Sequence, residues 1–357
     1  MYWSGKRPAQ SRYRCVCHAY TPRMSALETP SVRVHSLRPL EAERFLRTLL
    51  DLRIEFSSDG EGSPVPADAD ILIGGRPSRE DMEACPRLRM LIVPYAGIPE
   101  ATRELMLDFP HVAVHNLHHN AASVAELALA LLLSAAKRLI PADRALRRGD
   151  WSMRYAAAGD VQLDGKSALV LGCGAIGTRI GRACNALGMR VLGVCRRPSL
   201  SARVDAGVEI HGPDALPDLL PRANVLFVSL PLVPATRGLL GAREFELLPE
   251  DAVLVNIARG AIVNECALYE ALAEGRIGAA GLDVWYRYPR EAAERTSTLP
   301  SALPFYELDN VVLSPHRGGA FNHHDLERLR AEHLARLLNA AARGDPVTNR
   351  VDVDAGY

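Results

Sequence analysis

From Ser31 onward, short apolar runs alternate with stretches whose apolar residues recur at helical spacing. Val32–Val34, Ile54–Phe56, Ala69–Ile73, Met90–Pro94 and Val112–Val114 read as strands. Leu40–Leu52, Arg79–Ala84 and Glu100–Leu107, set between them, read as helices. Strands separated by helices predict a parallel sheet covered on both faces. No glycine-rich phosphate loop occurs in this half. A long apolar helix, Val124 to Leu139, follows, with Ser123 as N-cap and Glu126 three residues on, the spacing of a capping box. Its apolar character predicts a buried connector between two halves. The alternation then resumes with Ala168–Leu171, Arg190–Val194, Val225–Ser229, Ala252–Asn256, Ala279–Asp283 and Val311–Ser314. A last helix, Asp325 to Ala341, is expected to pack back on the first half.

The first strand of the second series ends at Leu171 and runs into Gly172-Cys-Gly-Ala-Ile-Gly177. This is G-x-G-x-x-G between a strand and a helix, Ala175 to Leu187. The first glycine permits a tight turn, the second lets backbone approach a pyrophosphate, and the third lets helix pack on strand. The helix N-terminus then faces the anion. Six strands with this fingerprint on the first predict a Rossmann dinucleotide-binding arrangement.

Composition bounds the picture without changing it. At 357 residues two domains are expected, and a 48% hydrophobic content supports sizeable cores. The formal net charge is zero, which gives no ground for a nucleic-acid or anionic-membrane partner. The longest apolar run, Leu127 to Leu133, is too short to span a bilayer. The seven cysteines are odd in number and lie mostly in apolar or glycine-rich runs, as expected of reduced thiols in the cytoplasm. Cys15-Val-Cys17 has no second ligand pair at zinc spacing, so no metal is expected. Residues 1–30 are rich in arginine, carry no acid before Glu28 and lack a signal-peptide core. They are expected to be a disordered or extraneous tail with Met24 as functional start. An organellar transit segment is the alternative.

Four further signals follow the fingerprint in order. Leu230-Pro-Leu-Val-Pro-Ala-Thr-Arg-Gly-Leu239 comes after the third strand, and Val255-Asn-Ile-Ala-Arg-Gly-Ala-Ile-Val-Asn-Glu265 ends the fourth. Ala280-Gly-Leu-Asp-Val-Trp285 ends the fifth, and Ser314-Pro-His-Arg-Gly-Gly319 the sixth. From about Ser31 to Leu338 the chain resembles the D-isomer-specific 2-hydroxyacid dehydrogenase family. The resemblance implies an α/β fold of two doubly wound parallel-sheet domains, a Rossmann coenzyme domain inserted in a flavodoxin-like substrate domain. Residues 31–122 and 321–357 would form the substrate domain and 123–320 the coenzyme domain. A homodimer through the coenzyme domain is implied as well.

Reduction of a 2-keto acid requires an anchored carboxylate, a polarised carbonyl and a proton for the developing alkoxide. Arg259 lies at a strand end, where α/β sheets place ligands, and its planar fork suits a carboxylate and a carbonyl oxygen together. His316 is the candidate general acid for reduction and base for oxidation. Backbone N–H groups of Ala96, Gly97 and Ile98 are candidate carboxylate anchors. Asn120 matches an asparagine that contacts substrate in formate dehydrogenase-like members, and reads equally as a loop or cap residue. His118 and His119 read as loop residues near the cleft. For the cofactor, the matching motifs imply Gly172, Gly174, Ala175, Ile176, Gly177, Leu230, Pro231, Thr236, Ile257, Ala258 and Asp283.

Two positions depart from the family pattern. An NAD site needs an acid roughly 20 residues past the glycines. Here stand Cys195, Arg196 and Arg197, which suit the 2′-phosphate of NADP, with NAD also accommodated. The acid that normally partners the histidine falls on Tyr288, a neutral group that can orient an imidazole only by hydrogen bonding. His316 is therefore expected to titrate near the unperturbed value of about 6.5; Glu291 is the nearest acid that could substitute. The resemblance thus implies an NAD(P)H-dependent reductase of a small 2-keto acid such as glyoxylate or hydroxypyruvate, yielding the D-2-hydroxy acid. Two other readings stay open: a formate-like small-anion dehydrogenase, and a corepressor-like NAD(P)-sensing protein.

Overall fold

The computed structural model describes residues 32–58, 60, 63–155, 160–196, 207–319 and 323–356. The tail 1–30 and Arg197, named above, lie outside the described residues.

Two all-parallel sheets organise the chain. The first holds β1 (Val32–Ser36), β2 (Ile54–Ser58), β3 (Ile71–Ile73), β4 (Met90–Val93) and β5 (Ala113–Asn116) in the order β2-β1-β3-β4-β5. That is the flavodoxin-like order. The second holds β6 (Ser167–Leu171), β7 (Arg190–Val194), β8 (Val208–His211), β9 (Val225–Val228), β10 (Val253–Asn256), β11 (Ala279–Leu282) and β12 (Val311–Leu313). Their order, β12-β11-β10-β9-β6-β7-β8, is the Rossmann arrangement extended by one strand. The central strands are buried on both faces, which is why they read as unbroken apolar runs rather than alternating ones.

Two sequence expectations are corrected here. The second sheet has a strand that the pattern did not reveal: β8, Val-Glu-Ile-His, lies at the sheet edge, only half buried, and has no apolar run to mark it. The connector helix runs from Ala121 to Ala136, with Asn120 as N-cap, and a second helix, Leu139–Leu146, follows a left-handed residue, Arg138. Ser123 therefore caps nothing; its hydroxyl donates to the Gly318 carbonyl at 2.9 Å. The connector packs close on the second sheet because Gly281 of β11 has no side chain where Leu131 sits.

The C-terminal helix, His324–Arg343, returns to the first sheet. Leu334 and Leu338 join Val32, Leu46 and Ile71 in one core. Asn339 pins the return, accepting from Asp51 N–H and donating to Leu49 carbonyl, both at 2.8 Å. Residues beyond it lie along β5, where Val351 N–H donates to Val114 carbonyl at 2.8 Å. The coenzyme domain is thus inserted in a domain built from both ends of the described chain. The C-terminal strand ends of the two sheets supply the residues of the site.

Candidate functional site

The turn after β6 shows why each glycine is needed. Gly172 has φ +95°, and a Cβ there would fall 2.7 Å from the Ser229 carbonyl oxygen. Ser229 binds this turn, donating to the Gly172 carbonyl at 2.7 Å. A Cβ on Gly177 would overlap the Gly172 carbonyl oxygen at 1.8 Å, so the helix can start this close only with glycine. Gly174 differs: a Cβ there would meet nothing within 4 Å. It borders open space at the start of the helix Ala175–Ala186, whose N-terminus no side chain caps. Free N–H groups on Ala175 and Ile176 beside that space suit a pyrophosphate. These residues fit a dinucleotide.

The rest of the expected cofactor rim lies on neighbouring strand ends. Cys195 and Arg196 follow β7, whose last residue, Val194, accepts from the Gly172 N–H of the turn. Burial, with Cys195 nearby, pushes the Cys173 thiol up to about 12, so the turn carries no thiolate that would repel an anion. Leu230 and Pro231 follow β9 in a loop fastened by Thr236, whose hydroxyl donates to Pro231 carbonyl at 2.7 Å and accepts from Val233 N–H at 2.9 Å. Ile257 and Ala258 are buried after β10.

Arg259 is presented by a small hydrogen-bonded turn. Buried Asn256, the last residue of β10, accepts from Ala258 N–H and donates to the Arg259 carbonyl, both at 3.1 Å. Gly260 must be glycine because the Trp285 backbone passes where a Cβ would be, 2.4 Å from its carbonyl oxygen. The guanidinium then reaches the first sheet: a Cβ on Gly97 would lie 2.5 Å from Arg259 Nη2. Asn116, ending β5, donates to the Ala96 carbonyl at 2.7 Å and so fixes the Tyr95–Ile98 loop from behind.

His316 follows β12 with φ +56°, an uncommon left-handed conformation for a residue with a side chain. Asp283, buried at the end of β11, holds it there. Its carboxylate accepts from Arg317 N–H at 2.7 Å, Gly318 N–H at 2.9 Å and the Ser314 hydroxyl at 2.5 Å. In this chain Asp283 thus fastens the histidine turn. Although the ring opens to the cleft, desolvation by the cleft walls and the nearby Arg259 charge lower the His316 pKa; Asp283 opposes them. The expectation of an unperturbed histidine is corrected accordingly.

Tyr288 lies beside His316, with ring centroids 5.6 Å apart and planes tilted by 57°. Its hydroxyl accepts from Trp285 N–H at 3.0 Å. The hydrogen bond by which Tyr288 could orient the imidazole does not occur among the described residues; the two rings only touch. Burial raises the Tyr288 pKa, so the phenol stays neutral. Glu291 is exposed ahead of a short 3-10 turn. Asn120, the N-cap of the connector helix, has its amide nitrogen against Gly319, while its buried Oδ1 has no protein partner. Sequence reasoning missed Ser229, Asn256 and Asn116. Each is a polar residue closing an apolar strand, which is the one signal that could have marked it.

Fold and site together define an α/β protein with a dinucleotide-binding sheet. The family profile described as D-isomer specific 2-hydroxyacid dehydrogenase, NAD binding domain, matches residues 129–318. The chain is 33% identical over 296 residues to glyoxylate reductase of Thermococcus kodakarensis, covering 78% of this chain and 81% of that protein. It is 30% identical over 289 residues to D-3-phosphoglycerate dehydrogenase of Methanocaldococcus jannaschii, covering 80% of this chain but only 52% of that relative. This chain thus spans about half the length of that dehydrogenase. A crystal structure of a D-isomer specific 2-hydroxyacid dehydrogenase from Xanthobacter autotrophicus Py2, in complex with NADPH and MES, superposes with a TM-score of 0.73 at 26% identity. That match covers 91% of this chain and 99% of the other. The chain belongs to the D-isomer-specific 2-hydroxyacid dehydrogenase family, whose members act on CH–OH groups with NAD(P).

Proposed function

We propose that this protein reduces a small 2-keto acid of the glyoxylate or hydroxypyruvate type to the D-2-hydroxy acid, with NADPH preferred. The observation that carries the reading is the approach of the Arg259 guanidinium to Gly97, which sets a two-pronged donor against a loop of backbone N–H groups. Such a pair anchors a carboxylate and polarises the adjacent carbonyl. When bound, the nicotinamide supplies the hydride. His316, held by Asp283, delivers a proton to the carbonyl oxygen as hydride adds to the carbon, and reverses that role in oxidation. Tyr288 packs beside the imidazole with its ring tilted by 57°. Asn120 stands near the histidine turn as a further substrate contact, its partnerless Oδ1 being the supporting observation.

Arg196, with Arg197 after it, supports the choice of NADP, since no carboxylate stands there to repel a 2′-phosphate. Glyoxylate reductases among the relatives and the NADPH complex of the Xanthobacter protein agree with this reading. A homodimer through the coenzyme domain is supported by Leu133, Leu139, Leu146, Trp151 and Tyr155, large exposed apolar side chains on or next to successive helices. The described cysteines are free, which agrees with a reducing compartment such as the cytoplasm.

The test is oxidation of NADPH and NADH with glyoxylate, hydroxypyruvate and pyruvate, beside reduction of NADP by formate. The expected result is keto-acid turnover with kcat/KM at least about tenfold higher for NADPH. Tight cofactor binding without turnover would support the sensing reading instead, and formate oxidation the small-anion one.

A further inference from the structure

The loop Tyr95–Ile98 is fastened to the end of β5. Leu117 N–H donates to the Tyr95 carbonyl at 3.3 Å, and Asn116 Nδ2 donates to the Ala96 carbonyl at 2.7 Å. Yet β5 is an edge strand: β4 lies on one side of it, and the sheet has no strand on the other. Such an edge leaves N–H and C=O groups without ladder partners. Residues 348–351 supply the missing neighbour. His115 Nδ1–H donates to the Thr348 carbonyl at 2.7 Å, His115 and Arg350 form an antiparallel bridge, and Val351 N–H donates to the Val114 carbonyl at 2.8 Å.

Asn349, 233 residues beyond Asn116, holds that residue twice. Its carbonyl accepts from the Asn116 N–H at 3.1 Å, and its Nδ2 donates to the Asn116 carbonyl at 3.2 Å. It does so with φ +59°, in the left-handed region that His316 also occupies. Asparagine tolerates that region better than most residues, and strain of this kind persists only where the surroundings hold it. The surroundings here are firm. Val351 is buried in the same core against which Tyr95 and Ile98 pack. Gly356 lies between the two domains: a Cβ there would fall 2.8 Å from Val233 of the loop after β9 and 3.4 Å from Arg103 of the helix Glu100–Leu107. Residues 349–356 are thus fixed at both ends, so Asn349 is a brace behind β5 and not a loose tail.

We propose that Asn349 is a positioning residue for the reaction: acting through Asn116, it holds the backbone of Ala96–Ile98 opposite Arg259 and so sets the affinity for the substrate carboxylate. The inference rests on the reading of that loop and Arg259 as the carboxylate anchor, and adds a residue on the far side of β5 on which the anchor depends.

The experiment uses Asn349→Gly, which keeps the left-handed backbone without strain and removes only the amide. Asn116→Ala removes the bond to Ala96, and the double variant combines the two. KM and kcat are measured for glyoxylate and hydroxypyruvate with NADPH, beside the NADPH Kd from cofactor fluorescence and the melting temperature. The expected result for Asn349→Gly is a keto-acid KM raised about fivefold, the effect of one net hydrogen bond, with kcat changed by less than about twofold and a native NADPH Kd. In the Asn116→Ala background the same substitution should change KM by less than about twofold, because the residue through which it acts has lost its hold on Ala96. A lower melting temperature with native KM is the result of a merely structural role and overturns the inference, leaving the reductase reading standing. A full KM effect in the Asn116→Ala background also overturns it. If Asn116→Ala does not fold, KM in Asn349→Gly decides alone. Failure of the native protein to turn over either keto acid defeats the reductase reading and this inference with it.

Discussion

Tyr288 sets its ring 5.6 Å from that of His316, tilted by 57°, while its hydroxyl accepts from the Trp285 N–H. The imidazole thus has an apolar neighbour where a carboxylate would raise its pKa. Burial and Arg259 lower that pKa below the ordinary histidine value. In the proposed reaction reduction uses the imidazolium, so kcat/KM for keto-acid reduction should fall as pH rises through a range below about 6.5, and oxidation should rise through the same range. Tyr288→Glu places an opposite charge beside the ring and should move both limbs upward by about a pH unit or more. Tyr288→Phe should leave them in place, because the hydroxyl does not touch the imidazole. A shift in Tyr288→Phe as large as in Tyr288→Glu would show that the phenol acts on the histidine directly.

The histidine turn depends on Asp283. Its carboxylate accepts three hydrogen bonds from residues 314, 317 and 318, which bracket a left-handed His316. Asp283→Asn keeps the shape but brings donors toward backbone donors. It should cost roughly 2–4 kcal/mol in denaturant unfolding, and release of the turn should lower turnover about tenfold or more. Ser314→Ala removes one bond of the three and should cost about 1 kcal/mol with most turnover retained. Native stability and turnover in Asp283→Asn would refute the fastening role.

Much of this was legible in the chain because strands buried on both faces leave apolar runs and the phosphate turn leaves glycines. The chemistry-bearing loops were legible for the same reason: Gly260 is fixed by the passing Trp285 backbone and Gly177 by the Gly172 carbonyl. What escaped depends on contacts distant in sequence. Ser123 and Glu126 have capping-box spacing, yet the hydroxyl serves Gly318, 195 residues away. Tyr288 looked able to orient a histidine, yet the chain folds its hydroxyl onto Trp285.

A second histidine makes the fold acid-sensitive. His119 lies in the loop that leads from β5 into the connector helix. It is 4% exposed, and neither ring nitrogen has a protein partner. Burial, then the charges of Arg330, His333 and His118, lowers its pKa to about 3. His333, on the C-terminal helix with its ring 6.5 Å away, is lowered to about 4, chiefly by burial. The unfolded chain binds these protons near pH 6.5 and the folded one does not. Stability is therefore full above that pH and is lost as pH falls toward the folded values. For His119 alone the loss between pH 6.5 and 4.5 is roughly 2–3 kcal/mol. Denaturant midpoints measured across that range should fall, and fall less steeply in His119→Leu. Parallel slopes for the two proteins would remove His119 as a source of acid lability.

Two glycines of one turn should fail in different ways when a methyl group is added. At Gly177 the new carbon overlaps the Gly172 carbonyl oxygen at 1.8 Å, a backbone atom held by Ser229, so the helix or the turn must move. Overpacking of this kind typically costs about 1–3 kcal/mol. Gly177→Ala should therefore lower the melting temperature in the absence of any dinucleotide. At Gly174 the carbon meets nothing within 4 Å, and φ is −79°, which alanine adopts freely. Gly174→Ala should melt at the same temperature as the native protein or slightly above it, because the unfolded chain loses freedom. Its defect should emerge only on titration with NADPH, as a Kd raised about tenfold or more, because the methyl group fills the space through which the pyrophosphate approaches the helix N-terminus. Native NADPH affinity in Gly174→Ala would place the pyrophosphate elsewhere. A lowered melting temperature in that variant would mean that the space beside Gly174 is already filled by the protein itself.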